Sequence, residues 1–322
     1  MEIKNILLKN KFKFKKSLGQ NFITDTSLLD AVVSDAGITS EDVVFEIGTG
    51  AGTLTRSIAK IAKKVISFDV DMSLQNILKE TLVDLTNVEL YFRDVMKLTD
   101  DDILDLTKGE FKIVANIPYN ITTPLLMRFI ESDLPLKSIT VMVQEEIADR
   151  LTAYPGTPEY GAITIGISLK GDAKKVRRVN RHAFYPVPKV DSAIVRIDIS
   201  NNKYVFKDKK TLKTLIRSGF HMRRKTFVNN VVSAFPSLTK EEVVNILKSL
   251  GYDENVRGEA LATEDYIKIA DTIFESKVQH NENNMASEMY EDDMDFDEEF
   301  FSIKEGEEIP VESRIDIIDY EK

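Results

Sequence analysis

Short apolar runs alternate with longer amphipathic stretches along residues 17–200. Val43-Val-Phe-Glu-Ile47, Val65-Ile-Ser-Phe68, Val88-Glu-Leu-Tyr-Phe92, Phe111-Lys-Ile-Val-Ala115 and Ser138-Ile-Thr-Val-Met-Val143 have the length and the β-branched or aromatic content of strands. Segments of helical character separate them, the first being Leu54–Ala62 after a glycine-rich turn at Gly48–Gly52. Strands divided by helices predict βαβ units, hence an α/β domain with a parallel sheet covered on both faces. Beyond Ser200 the period changes. Leu212, Leu215, Ile216 and Phe220 mark one helical face, and Val243, Val244, Ile246 and Leu247 mark another. A smaller all-α domain is therefore predicted over 201–276, with Asn201-Asn-Lys203 as the boundary.

The two ends differ in charge. Residues 1–16 hold six lysines and read as a basic arm, either solvated or in contact with nucleic acid. Residues 281–322 hold 16 acidic residues against Lys304, Arg314 and Lys322, a net of −13. The overall net charge of −10 therefore conceals a mildly basic body of 40 basic and 37 acidic residues. Within 277–322 the low-complexity stretch Glu288–Glu299 has few aliphatic residues, and this acidic tail is expected to be disordered.

Composition narrows the chemistry. There is no Cys, and His182, His221 and His280 are the three histidines. This excludes a disulfide framework and a thiol nucleophile, argues against a metal centre and fits a reducing cytoplasm. No apolar run approaches the roughly 18 residues that span a bilayer, so no membrane partner is expected. The N-terminus has lysines without an apolar signal core, so no secretory leader is expected.

Glu46-Ile-Gly-Thr-Gly-Ala-Gly52 follows one strand and opens a helix. Asp69 stands 21 residues after Gly48 at the end of the next strand, and Asp94 follows the third. Carboxylates in these places suit ribose hydroxyls and an adenine amino group. The spacing Gly-x-Gly-x-Gly lacks the dinucleotide pattern, so S-adenosylmethionine is the better candidate than a pyrophosphate cofactor.

Asn116-Ile-Pro-Tyr119 follows the fourth strand. An adenine N6 amine is a poor nucleophile because its lone pair is delocalised into the ring. The Asn116 amide oxygen and the Ile117 carbonyl can accept its two N–H groups and favour a more pyramidal nitrogen. Pro118 fixes the backbone so that these acceptors converge. Tyr119 offers a ring face for a splayed-out base.

The chain resembles the ribosomal RNA adenine dimethyltransferases, most closely their small-subunit branch. The resemblance rests on Leu18-Gly-Gln-Asn-Phe22, Glu46–Gly52, Asp69-Val-Asp71, Asp94, Asn116-Ile-Pro-Tyr-Asn120, Ala183–Ser192 and Arg223-Arg-Lys-Thr226, in order across residues 17 to about 275. It implies a Rossmann-like, S-adenosylmethionine-dependent methyltransferase domain and a helical RNA-binding domain. It also implies dimethylation at N6 of two adjacent adenosines near the 3′ end of 16S rRNA, on a 30S assembly intermediate, by a monomer. Carried over by position, Asn21 and Ile23 touch the methionine part of the cofactor and Gly48 lines its loop. Asp69 binds the ribose, Asp94 meets the adenine and Asn116 lies between cofactor and target amine. Phe184 is then a second aromatic wall opposite Tyr119. Thr49 and Asp69 stand where many relatives have Pro and Glu. The tail beyond 276 has no counterpart in the family core.

Lys210, Lys213, Arg217, His221 and Arg224 recur at helical spacing, and Arg223 and Lys225 adjoin them. This is the electrostatic pattern of a phosphate-binding face. Lys174, Lys175, Arg177, Arg178 and Arg181 form a second basic cluster. Three other activities compete with the main reading. They are methylation of 23S rRNA with macrolide-type resistance, non-catalytic rRNA binding during assembly, and dinucleotide-dependent oxidoreduction. Asn120-Ile-Thr-Thr-Pro124 and Arg223-Arg-Lys-Thr226 favour the small-subunit enzyme over the first.

Overall fold

A computed structural model describes residues 3–15, 18–117, 121–200, 203–284 and 314–316, the stretches 277–284 and 314–316 by backbone alone. The described residues fall into two compact units. One gathers those of 1–152, 171–201 and 308–322, and the other those of 153–170 and 202–307.

The first unit carries ten strands among its described residues. They are β1 (Phe22–Ile23), β2 (Val43–Ile47), β3 (Lys64–Asp69), β4 (Val88–Phe92), β5 (Phe111–Asn116), β6 (Leu136–Gln144), β7 (Gly171–Val179), β8 (Phe184–Tyr185), β9 (Ser192–Ile199) and β10 (Arg314–Asp316). Eight of them form one sheet in the order β10-β4-β3-β2-β5-β6-β9-β7. From β4 to β6 the pairing is parallel, as the alternating pattern predicts. Val44, Phe45, Val65, Ile66, Val114 and Val141 on these strands are wholly shielded from solvent. Burial on both faces explains why they read as continuous apolar runs rather than as alternating ones. The order reverses between β2 and β5. In such sheets ligands bind beyond the carboxyl ends of the strands at the reversal.

Three features depart from the expected organisation. The basic arm is packed rather than solvated, since helix Ile3–Lys9 buries Ile3, Ile6 and Leu7. Phe12 and Phe14 pack against the same core. Lysines occupy the outer positions while apolar residues at i, i+3 and i+4 face inward. Helix Ala162–Lys170 groups with the helical unit, although it lies well before the boundary expected near 201. In the region expected to be an acidic, disordered tail from 277, helix Thr263–Asn284 continues to 284, and β10 pairs antiparallel with β4. Most of that tail lies outside the described residues.

The second unit is helical, with a core that includes Leu212, Leu215, Phe227, Val231, Leu247 and Tyr266. Helix Lys209–His221 starts at Asp208, whose carboxylate accepts the Thr211 N–H. Helix Lys240–Ser249 starts with Thr239 and Glu242 in a reciprocal capping box, a Thr-x-x-Glu pattern visible in the chain. Gly219 and Gly258 bring their backbones together over the Tyr266 hydroxyl, leaving no room for a Cβ at Gly258. None of the described helices is long and apolar enough to cross a membrane.

Candidate active site

The chain turns sharply where β2 ends at Ile47. Gly48 and Gly50 adopt φ values of 84° and 55°, a region open to glycine at no steric cost. A Cβ on Gly48 would stand 3.4 Å from the Asn116 carbonyl oxygen, and one on Gly50 would stand 3.1 Å from the Phe22 ring. The missing side chains keep a cleft open between this turn, the end of β5 and the segment leading into β1. The Gly48 and Thr49 N–H groups donate to the Phe68 carbonyl at 2.8 and 3.1 Å, tying the turn to β3.

Asp69 ends β3 and lines the cleft. Its carboxylate accepts the Gly50 N–H on one oxygen and the Asp71 N–H on the other, both at 2.8 Å. Burial pushes its pKa up to about 6, the N–H bonds oppose that rise, and the neighbouring charge of Asp71 adds to it. Asp94 is exposed at the rim after β4, and one of its oxygens accepts the Met96 N–H at 2.9 Å. It therefore caps a short turn as well as lining the cleft.

Asn116 ends β5. Its Nδ2 donates to the Asn21 carbonyl at 3.1 Å. That bond assigns the amide orientation, because the carbonyl can only accept, and it leaves Oδ1 as an acceptor for a ligand. Ile117 also lines the cleft. Pro118 and Tyr119 lie outside the described residues.

Behind the glycine turn, Glu46 is fully shielded from solvent. Its Oε2 accepts the Ser67 hydroxyl at 2.6 Å, and Ser67 in turn shares a 2.6 Å hydrogen bond with Thr49. Burial drives its pKa up to about 8, with the charge of Asp69 adding to the effect, so Glu46 is protonated near neutral pH.

The structure thus brings Asn21, Gly48, Asp69, Asp94 and Asn116 to one cleft. Two expected residues are elsewhere. Ile23, expected at the cofactor, and Phe184, expected as an aromatic wall, pair with each other across β1 and β8. Both are buried, at 2% and 3% exposure, in the core instead of on the cleft surface. Phe22, one residue earlier, faces the cleft, as alternation along a strand requires. Gln20, inside the Leu18–Phe22 motif, and Arg93, beside Asp94, also line it, although the sequence assigns neither a role. Among the described residues the lining carries the carboxylates of Asp69 and Asp94 and a single basic side chain, Arg93, with much of the rest apolar. Such a lining suits a nucleoside held by its hydroxyls and base edge better than a pyrophosphate.

The sequence model of the ribosomal RNA adenine dimethylase family matches residues 11–275. The chain belongs to this family. It is 41% identical over 276 residues to ribosomal RNA small subunit methyltransferase A of Clostridioides difficile, covering 84% of this chain and 94% of that relative. The protein of the same name from Bacillus licheniformis is 40% identical over 280 residues, covering 84% and 95%. Among solved structures, a dimethyladenosine transferase from Plasmodium falciparum superposes with a TM-score of 0.67 at 28% identity, covering 80% of this chain and 98% of that one. A 23S rRNA methyltransferase shares the fold, with a TM-score of 0.62 at 23% identity.

Within this rRNA adenine dimethylase, the basic residues of the helical unit divide by environment. Lys210, Arg217 and His221 are exposed on helix Lys209–His221, and Lys213 is half-buried beside them. The helix ends at His221, so Arg223, Arg224 and Lys225 extend the basic run in the following turn rather than on the helix face. Arg223 is partly committed, since it donates to the Tyr160 carbonyl at 3.0 Å and lies 3.6 Å from Glu259. The second basic cluster is less available than its charge suggests. It lies largely on β7, where Lys175 pairs with Asp149, Arg177 with Asp35, and Arg178 with Glu145 and Asp191.

Proposed function

We infer that this chain is an S-adenosylmethionine-dependent rRNA adenine N6,N6-dimethyltransferase acting on small-subunit (16S) rRNA. Its substrate is proposed to be two adjacent adenosines near the 3′ end, within a 30S assembly intermediate in the cytoplasm, with the enzyme working as a monomer and without a metal. The observation that carries this reading is the Asn116 amide. Its N–H₂ is tied to Asn21, and its oxygen, without a hydrogen bond among the described residues, stands at the cleft that Gly48, Asp69 and Asp94 also line.

The cleft fits the proposed cofactor in three ways. The glycine turn leaves a cradle that a Cβ would fill. Asp69 accepts hydrogen bonds from ribose hydroxyls, and Asp94 accepts one from the adenine amino group. S-adenosylmethionine supplies a methyl group on a cationic sulfur, so the acceptor amine needs alignment more than a strong base.

Asn116 Oδ1 and the Ile117 carbonyl hold the two N6 hydrogens and turn the nitrogen lone pair toward the methyl donor. Tyr119 provides the stacking face for an adenine drawn out of its helix. The second wall, opposite Tyr119, is proposed to be Phe184, which the structure buries beside Ile23. The proton that N6 sheds is already bonded to Asn116 or Ile117 and leaves to solvent. Lys210, Lys213, Arg217, His221, Arg224 and Lys225 supply phosphate contacts.

Equilibrium titration with S-adenosylmethionine, alongside NAD, tests the reading at its base. Binding of the first alone supports it. Binding of NAD alone returns the chain to the oxidoreductase class and overturns it.

A further inference from the structure

Asp71 lies two residues beyond the ribose-binding position, and its side chain is completely buried. It nevertheless holds a charge that four donors satisfy. The Lys15 ammonium reaches Oδ1 at 2.7 Å, the Gln20 amide reaches Oδ2 at 2.6 Å, and the Ser73 N–H and hydroxyl reach Oδ1 at 3.0 and 2.6 Å. The fifth interaction runs outward, where the Asp71 N–H donates to Asp69 Oδ1 at 2.8 Å. Burial works to raise the Asp71 pKa, but the bonds from Lys15, Ser73 and Gln20 hold it below the ordinary carboxylate value.

Two of the donors, Lys15 and Gln20, come from the N-terminal segment that walls the cleft. Gln20 bridges both sides, accepting the Lys15 N–H at 2.8 Å while its amide donates to Asp71. The Leu18 N–H donates back to the Lys15 carbonyl at 3.1 Å. Leu18, Gly19, Gln20, Asn21 and Phe22 then line the cleft. Away from this clamp the same segment is held by the Asn116–Asn21 hydrogen bond, by the pairing of β1 with β8 and by ring contacts. Phe14 lies 5.5 Å from Phe22 and 5.4 Å from Tyr185. Lys15, half-exposed, is the single cation on the buried carboxylate among the described residues.

We propose that Asp71 and Lys15 are positioning residues that clamp the N-terminal wall of the cleft onto the ribose-binding turn, and so preorganise the cofactor site. The inference rests on the cofactor reading above. Neither residue touches the reacting atoms. Their effect is that Asp71 ties the two sides together, its carboxylate holding Gln20, the neighbour of Asn21, and its backbone N–H holding Asp69. Loosening the clamp makes the wall order itself when the cofactor arrives, which weakens binding and leaves the aligned complex unchanged.

The test measures S-adenosylmethionine affinity and methyl transfer at saturating cofactor for Lys15→Met, Lys15→Arg and Asp71→Asn, each at a temperature where circular dichroism shows it folded. Lys15→Met is expected to weaken affinity about tenfold with kcat within about twofold of the parent. Lys15→Arg is expected to restore affinity, and Asp71→Asn to weaken it further. Parent-like affinity in Lys15→Met, or loss of kcat at saturation without loss of affinity, overturns the clamp while leaving the cofactor reading intact. A parent protein that fails to bind S-adenosylmethionine at all instead overturns the cofactor reading, and the clamp falls with it.

Discussion

Asn116 and Asn21 stand 95 residues apart in the chain and share one hydrogen bond of 3.1 Å, from the Asn116 amide to the Asn21 carbonyl. The bond converts a freely rotating amide into a directed acceptor. Asn116→Ala removes that acceptor and touches none of the exposed basic residues of the helical unit. Methyl transfer is expected to fall by at least about 100-fold, as displaced reacting groups do, while RNA affinity stays within about twofold. Filter binding and single-turnover transfer, run on one preparation, check the split.

Asp69 has its pKa raised to about 6 by burial. As an acceptor for ribose hydroxyls it must be ionised. Affinity for S-adenosylmethionine is therefore expected to decline as pH falls through about 6, and to be flat above about 7.5. Asp69→Asn should lose most of that dependence along with much of the affinity. Calorimetric titrations between pH 5 and pH 8, at about half-unit steps, check both.

Glu46 makes the opposite kind of prediction, about stability. Its folded pKa of about 8 lies above its ordinary value of 4.5, so the favourable contribution is present below 4.5 and is lost as pH rises through 8. Glu46→Gln does not titrate. Its stability relative to the parent should rise by up to about 1.4 kcal/mol per pH unit across that window and then level off. Urea unfolding at several pH values checks the slope, whatever constant offset the substitution adds.

Gly258 faces the Gly219 carbonyl and the Tyr266 hydroxyl with no space for a methyl group. Gly258→Ala is expected to destabilise the helical unit by about 1–3 kcal/mol, the usual cost of overpacking. Thermal unfolding followed by circular dichroism reads the shift.

Residues 281–322 carry a net charge of −13 on an enzyme whose partner is a polyanion. Removing 285–322 keeps helix Thr263–Asn284 whole. If the segment competes with RNA for basic surfaces, its loss should tighten RNA binding at low salt, with the gain disappearing as salt screens it. Unchanged affinity and unchanged salt dependence would rule the competition out.

The parallel strands could be read from the chain because both of their faces are buried, which makes Val43–Ile47 and Phe111–Asn116 almost uniformly apolar. Asp69, Asp94 and Asn116 could be placed because each stands at, or two residues beyond, the end of such a strand. β7 was hidden for the converse reason. Most of its side chains, from Lys174 to Arg178, face solvent, so it read as a charged patch and not as a strand. Its acidic partners Asp35, Asp149 and Asp191 are distant in sequence. The helix at Ile3–Lys9 did leave a trace in the spacing of Ile3, Ile6 and Leu7, but six lysines outweighed it. Nothing local distinguishes Ile23 from Phe22, and the pairing of Ile23 with Phe184 spans most of the first unit. The N-terminal partners of Asp71, Gln20 and Lys15, lie 51 and 56 residues away, beyond the reach of any spacing argument.

The central claim is tested most directly by incubating the purified protein with labelled S-adenosylmethionine and unmethylated small ribosomal subunits, with large subunits in parallel, and separating the nucleosides. The account predicts N6,N6-dimethyladenosine in small-subunit rRNA alone. Label confined to large-subunit rRNA, or no label in either despite cofactor binding, would contradict it.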